Sequence, residues 1–468
     1  MDLIDCTATE LAEALSSGQV RSTRLAEQLI ARTEAASSLN CYVHFDAVGL
    51  LRQAAEADAR LEAGERLPLL GIPVALKDNI DVAGMPCGAG TGALHGRRPA
   101  RDADVVRRLR DAGALIAGKV GMHELAMGIT SNNAVTGAVR NPWEPSCIPG
   151  GSSGGSGAVV AARLVPVAIG TDTGGSVRIP AALCGVAGFR PSAGRVSGQG
   201  IAPISTTRDT AGPLARSVDD LALLDGVLAG DRSTFGPTSL RGVRLGVPRS
   251  HFWDDLSPGV RARADAALSA VREAGAEIVQ VDVPGLAELA GEISMAIVLH
   301  EFVRDMGDYL ESRQRGVSYD QLIAEVRSED VRSIVGELTG LAAVPADAYR
   351  QAMQGRRRLQ ALYDDVFASQ QLAALIFPTT PSTAIPVGQD QQFALNGRLC
   401  PVFPTFIRNT DPGSCAGIPG VSLPIGLSDG MPVGLALDGP AGSDRHLLSL
   451  ARAVEALLPP MARAPFPY

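Results

Sequence analysis

Apolar side chains recur at helical spacing along the first thirty-five positions. Leu11 and Leu15 stand one turn apart, Leu25, Leu29 and Ile30 continue the period after Gly18, and Thr7 with Glu10 fits a capping box. Two N-terminal helices are expected. The pattern then shifts to short apolar runs of strand length, LGIPVA at 70–75 and Gly113 to Gly118, with a helix over Val105 to Ala112 before the second. Farther along, Ala158 to Leu164 suits a small-residue helix, Pro166 to Ile169 a strand, Thr171 to Gly175 a tight loop and Val177 to Leu183 another helix. The runs 242–248 and 276–284 bracket a helix, and Ala374 to Phe377 adds a buried strand. Alternating strands and helices predict an α/β fold. No repeat or low-complexity linker divides the chain, so one domain over 1–468 is expected. Its parts are N-terminal helices (1–65), a core (66–230), a mainly helical insertion or cap (285–372), and a return to the core with pocket loops (373–468).

Composition narrows the function. With 46% hydrophobic and 20% charged residues in 468, the chain has the make-up of a folded enzyme-sized protein. A formal charge of −8 gives no electrostatic footprint for nucleic acid, and the arginine clusters at 97–98, 107–108 and 356–358 read as solvated helix faces. Seven scattered cysteines without a CxxC argue against both a disulfide framework and a zinc site. The first residues are acidic rather than leader-like and no apolar run approaches the ~20 residues of a membrane span, so a cytoplasmic location away from membranes is expected.

The chemistry concentrates at GGSSGGSG, Gly150 to Gly157. A phosphate-binding P-loop needs a lysine that this run lacks, and a dinucleotide fingerprint needs a preceding strand where Asn141 to Pro149 is loop-forming. A linker is contradicted by the apolar small residues that follow at once and by a second cluster, Thr171 to Ser176. Gly151 to Gly155 does satisfy GxSxG, the nucleophile elbow. That reading requires a histidine base, and His251, His300 and His446 sit in helical or generic surface contexts. A neutral lysine can activate serine instead. Lys77 ends an apolar run, whereas Lys119, the only other lysine, has a less specific setting.

Lys77, Ser152 in GGSSGGS and Ser176 in TDTGGS together resemble the amidase signature family, densely over 65–230 and again at Asp411 to Gly434. The resemblance implies a central mixed β-sheet covered by helices on both faces and a Ser-Ser-Lys triad. Ser176 would be the nucleophile, Ser152 the proton relay after a cis peptide bond to Gly151, and Lys77 the base. Thr173, Gly174, Gly175 and Ser176 would supply backbone amides to the oxyanion, because glycine lets consecutive N–H groups converge. Ser153, Asp172 and Arg178 would support the loop, with Arg178 alternatively facing a substrate carboxylate.

Further expectations follow from this reading. Lys77 has to fall by roughly 2 to 3 units from its ordinary value near 10.4, so Asp78 has to point away from it. No metal or cofactor is required, the partner is a small-molecule amide, and a homodimer is left open. Met122 to Asn133, Gly137 to Trp143 and Arg408 to Pro412 point within the family to a primary amide on a short aromatic arm, such as indoleacetamide or mandelamide. Ile297, Val298, Leu299, Phe302, Val402, Phe403, Phe406 and Ile418 are candidate pocket lining. Competing readings are the glutamine-hydrolysing subunit of a tRNA-dependent amidotransferase, an aryl acylamidase, and a silent scaffold that only binds.

Overall fold

The computed structural model describes the chain except positions 1, 232, 234–235, 237–238, 337, 339–343 and 466–468. The expected helical insertion therefore includes positions 337 and 339–343, which lie outside the described residues. An eleven-stranded sheet runs through the molecule. From one edge its strands are Tyr42–Phe45, Leu115–Val120, Pro73–Lys77, Val167–Asp172, Thr210–Ala215, Ala187–Arg190, Gly420–Ser428, Met431–Asp438, Ala374–Pro378, Arg244–Pro248 and Glu277–Val281. Pro73–Lys77 pairs in parallel with both of its neighbours, while Val167–Asp172 pairs antiparallel with Thr210–Ala215, so the sheet is mixed as expected.

Strand alternation explains why this sheet needs cover on both sides. Val74, Leu76, Ile116, Val167 and Ile169 join one apolar cluster, whereas Ala75, Leu115, Ala117 and Ala168 join another. Alanine dominates the second face. That lets the helix Gly154–Ala161, itself wholly buried, lie close against it. Its Gly155 sits where a Cβ would come within 2.4 Å of the Gly121 carbonyl oxygen, which only glycine avoids. Lys77, two residues beyond Ala75, leaves its strand on this same face, and so points toward the start of that helix.

The N-terminal helices form at Ala8–Ser16 and Ser22–Ala35, and Thr7 and Glu10 make the reciprocal capping box. Residues 1–65 are not helical throughout, however. Tyr42–Phe45 forms an edge strand antiparallel to Leu115–Val120. The predicted strand at 70–75 starts later, at Pro73, because Gly71 turns with φ +85°. Helix Gly154–Ala161 begins inside the glycine cluster rather than after it. The region beyond 285 carries the long helices Leu286–Ser312 and Ala346–Ser369 packed on each other. No helix of the described residues is long and apolar enough to cross a membrane.

Candidate active site

Two strand ends and the loops beside them bring the chemistry together. Lys77 closes its strand, buried completely, with Nζ 2.8 Å from Ser152 Oγ and 2.8 Å from Thr171 Oγ1. Asn79 Nδ2 also donates to Thr171 Oγ1 at 3.1 Å, which fixes that hydroxyl. The peptide bond between Gly151 and Ser152 is cis. Ser153 N–H donates to the Ser176 carbonyl at 3.2 Å, so the serine segment runs beside Ser176. Ser153 Oγ accepts from Thr171 N–H and donates to the Thr171 carbonyl, tying the helix start to the strand end.

Burial decides the state of the lysine. Desolvation pulls its pKa down from 10.5 to about 7, against the opposing pull of Asp172 and Asp209. Neither carboxylate touches it; its neighbours are hydroxyls and a carbonyl. Asp78 turns elsewhere, with Oδ2 accepting from the amides of Gly88 and Gly90 and Oδ1 lying 3.7 Å from Lys119 Nζ.

The loop from Asp172 to Ser176 is held by its carbonyls. Arg190 Nη1 donates to the Asp172 carbonyl, Arg208 Nε to that of Thr173 at 3.2 Å, Thr410 Oγ1 to that of Gly174 at 2.6 Å, and Ile179 N–H to that of Gly175 at 2.8 Å. In a trans peptide the N–H points opposite to its carbonyl. Pinning four successive carbonyls therefore aims the next four amides. Of these, the Gly175 amide is taken up by Asp172 Oδ1 at 2.8 Å, which departs from its expected part in the oxyanion site. The amides of Thr173, Gly174 and Ser176 have no partner among the described residues and remain for a ligand.

Asp172 is the hub of this arrangement. Burial alone would raise its carboxyl, but the guanidiniums of Arg178 and Arg190 hold it well below the ordinary carboxylate range. Arg178 is buried, bonded to Asp172, to the Thr410 carbonyl and to Ser414 Oγ. It braces the loop and does not face the cavity described next, so the alternative of a substrate carboxylate at Arg178 is not met.

A cavity of about 410 Å³ opens on Thr173, Gly174 and Ser176. Ser176 is 8% exposed there. The walls are apolar, with Met127, Ile129, Ile204, Met295, Val298 and Ile407 among them, and His251, Arg408 and Asp411 supply polar groups. Of the eight expected lining residues only Val298 and Phe403 reach this cavity. Ile297 and Ile418 belong to the main core cluster, Leu299 and Phe302 pack among the helices, and Val402 and Phe406 form a separate cluster. His251, whose sequence context is helical or generic surface, lines the cavity. Thr171, Arg190, Arg208 and Thr410 escaped sequence reasoning as site residues; only Thr171 and Thr410 stood inside segments already singled out. Among the described residues no group of three or more His, Cys, Asp or Glu is arranged to hold a metal ion.

Comparison with known proteins gives consistent matches. Residues 24–448 match the family model described as Amidase. The chain is 45% identical over 433 residues to an indoleacetamide hydrolase of Agrobacterium vitis, covering 92% of each. It is 42% identical over 483 aligned positions to a mandelamide hydrolase of Pseudomonas putida, covering 99% of this chain and 93% of that one. Among solved structures, native peptide amidase from Stenotrophomonas maltophilia superposes with a TM-score of 0.87 at 33% identity, covering 99% of both chains.

Proposed function

The chain belongs to the amidase family, whose members hydrolyse amide C–N bonds, and from that premise we propose that its substrate is a primary carboxamide on a short arm bearing an aromatic ring. The observation that carries this reading is the apolar cavity of about 410 Å³ that opens directly on Ser176 and the unpartnered amides beside it. A cavity of that size and lining suits a one- or two-ring aromatic group better than the polar side chain of glutamine. The likeness to hydrolases of indoleacetamide and mandelamide supports the same substrate class.

In this reading Lys77, Ser152 and Ser176 form the proton path, supported by the 2.8 Å contact of Lys77 Nζ with Ser152 Oγ. Neutral Lys77 accepts the proton of Ser152, and Ser152 accepts that of Ser176. The Ser176 oxygen attacks the amide carbonyl. Negative charge moves onto the carbonyl oxygen, where the amides of Thr173, Gly174 and Ser176 stabilise it. Ser152 then protonates the nitrogen, regaining its own proton from Lys77, and the C–N bond breaks to release ammonia. The acyl group stays on Ser176. Water attacks this ester by the same path in reverse, giving the carboxylate and the free serine.

Kinetics on a panel of phenylacetamide, indoleacetamide, aliphatic amides, acetanilides and glutamine, read as ammonia or amine release, tests the assignment. Arylacetamides are expected to have the highest kcat/KM. A higher kcat/KM for glutamine or for acetanilides sinks the arylacetamide reading while leaving the serine-lysine chemistry in place.

A further inference from the structure

His251 stands apart from the rest of the cavity wall. It adopts φ +69° and ψ −58°, a conformation rare for a side chain with a Cβ, and such outliers persist where surrounding structure fixes them. The fixing contacts are evident. Its backbone amide donates to Asp254 Oδ2 at 2.8 Å, and its ring meets Phe252 edge-on with centroids 5.1 Å apart. Ring Nε2 lies 3.1 Å from the Arg408 carbonyl oxygen.

That last contact determines the tautomer. A carbonyl oxygen only accepts, so Nε2 carries the proton and Nδ1 of the neutral ring is left with a bare lone pair. Burial keeps the imidazole below its ordinary pKa, opposed by the hydrogen bond to the Arg408 carbonyl and by Asp254 and Glu288, with the Arg408 guanidinium acting alongside burial. Nδ1 has no partner among the described residues. Of the other polar groups of the cavity, Asp411 pairs through Oδ1 with Arg208, Ser294 Oγ accepts from Arg208, and Thr173 Oγ1 donates to Asp209. Asp411 also lies beside Gly174, at the reacting end. Arg408 offers only donors.

We propose that His251 is a specificity-determining residue whose Nδ1 accepts a hydrogen bond from an N–H on the substrate's aromatic ring, as an indole would present. This rests on the arylacetamide reading and adds to it a preference among rings. An apolar cavity alone separates similar rings weakly, whereas one aimed acceptor rejects a ring that cannot donate.

The test pairs indole-3-acetamide with 1-benzothiophene-3-acetamide, which replaces the N–H by sulfur at similar shape. The wild-type protein is expected to favour the indole by roughly tenfold in kcat/KM, carried mainly in KM. His251→Phe is expected to abolish that ratio. His251→Asn, which keeps an acceptor and tolerates positive φ, is expected to retain part of it. Equal kcat/KM for the two amides in the wild-type protein overturns the inference without any variant having to fold. An undiminished ratio in His251→Phe overturns it as well. Failure to turn over either arylacetamide, with turnover of glutamine or aliphatic amides, removes the substrate reading and this inference together, and equal turnover removes this inference alone.

Discussion

Asp78 follows Lys77 in sequence, yet its carboxylate lies 3.7 Å from Lys119 Nζ, the chain's other lysine. The register explains the exchange. Leu76 stands opposite Lys119 across the parallel pair, and beyond Lys77 the chain turns so that the amides of Gly88 and Gly90 receive Asp78. The carboxylate that would have kept Lys77 protonated is thus spent on a neighbour. Lys77 is left with two hydroxyls and the Thr171 carbonyl, neutral partners that a neutral amine tolerates.

The pH profile follows from that arrangement. The base must be neutral to accept a proton, and burial brings Lys77 to about 7. Log kcat/KM is expected to rise with unit slope below pH 7 and level off above it. A profile flat from pH 5 to 9 excludes Lys77 as the base.

Replacing the lysine separates activity from stability. Lowering its pKa from 10.5 to about 7 corresponds to roughly 5 kcal/mol of folding stability forgone at pH 7 and below. The unfolded lysine is charged up to pH 10.5, so the cost is largest below pH 7 and vanishes as pH rises past 10.5. Lys77→Met abolishes turnover in this account. After the loss of its bonds to Ser152 and Thr171, Tm at pH 7 is expected to rise by about 1–3 °C, and the gain reverses to a loss as pH approaches 10.5 and only the missing bonds count. A fall in Tm at pH 7 contradicts it.

The serines are ranked by what they touch. Ser176→Ala and Ser152→Ala are expected to lower kcat by ~10³-fold or more, since each interrupts the proposed proton path. Ser153→Ala loses two bonds to Thr171 and is expected to cost about tenfold. If Ser153→Ala is the more damaging, the elbow-type nucleophile returns.

A methyl group at Gly175 tests the loop. Its Cβ would approach Thr410 Oγ1 to 2.1 Å at a φ of +138°, which ordinary side chains avoid. Gly175→Ala is expected to destabilise by about 1–3 kcal/mol and to lower kcat by more than ~10²-fold. Circular dichroism melts and steady-state rates measure both. A fully active Gly175→Ala shows that the loop does not need its present course.

Legibility in the sequence tracked chemical distinctiveness. Lys77 was visible because a lysine at the end of an apolar run is out of place, and Ser152 and Ser176 because glycine clusters flank them. Arg208 carried no such mark, although its guanidinium holds the Thr173 carbonyl, because that contact spans thirty-five positions. The strand Tyr42–Phe45 was hidden by its four-residue length between helices. Gly420–Ser428 and Met431–Asp438 are masked by their glycines and prolines, which mark turns as readily as strands. Pocket lining failed for another reason. Phe302 and Phe403 are alike to hydropathy, and only the packing decides that one enters the core and the other the cavity.

The clamp on Gly174 and Thr173 also sets a schedule. Lys77, Ser152 and Ser176 leave the ribosome early, but the Thr410 hydroxyl, the Asp411 carboxylate and the Ser414 hydroxyl that brace the loop and its arginines are made near the end. A stalled or truncated chain ending before residue 410 would carry every proposed reacting side chain but lack the Thr410 hold on the Gly174 carbonyl and the Asp411 and Ser414 braces on Arg208 and Arg178. Such fragments are expected to stay inert toward amides even where their first strands have formed. On the proposed mechanism, completion of synthesis thereby becomes the step that seats the loop beside Ser176.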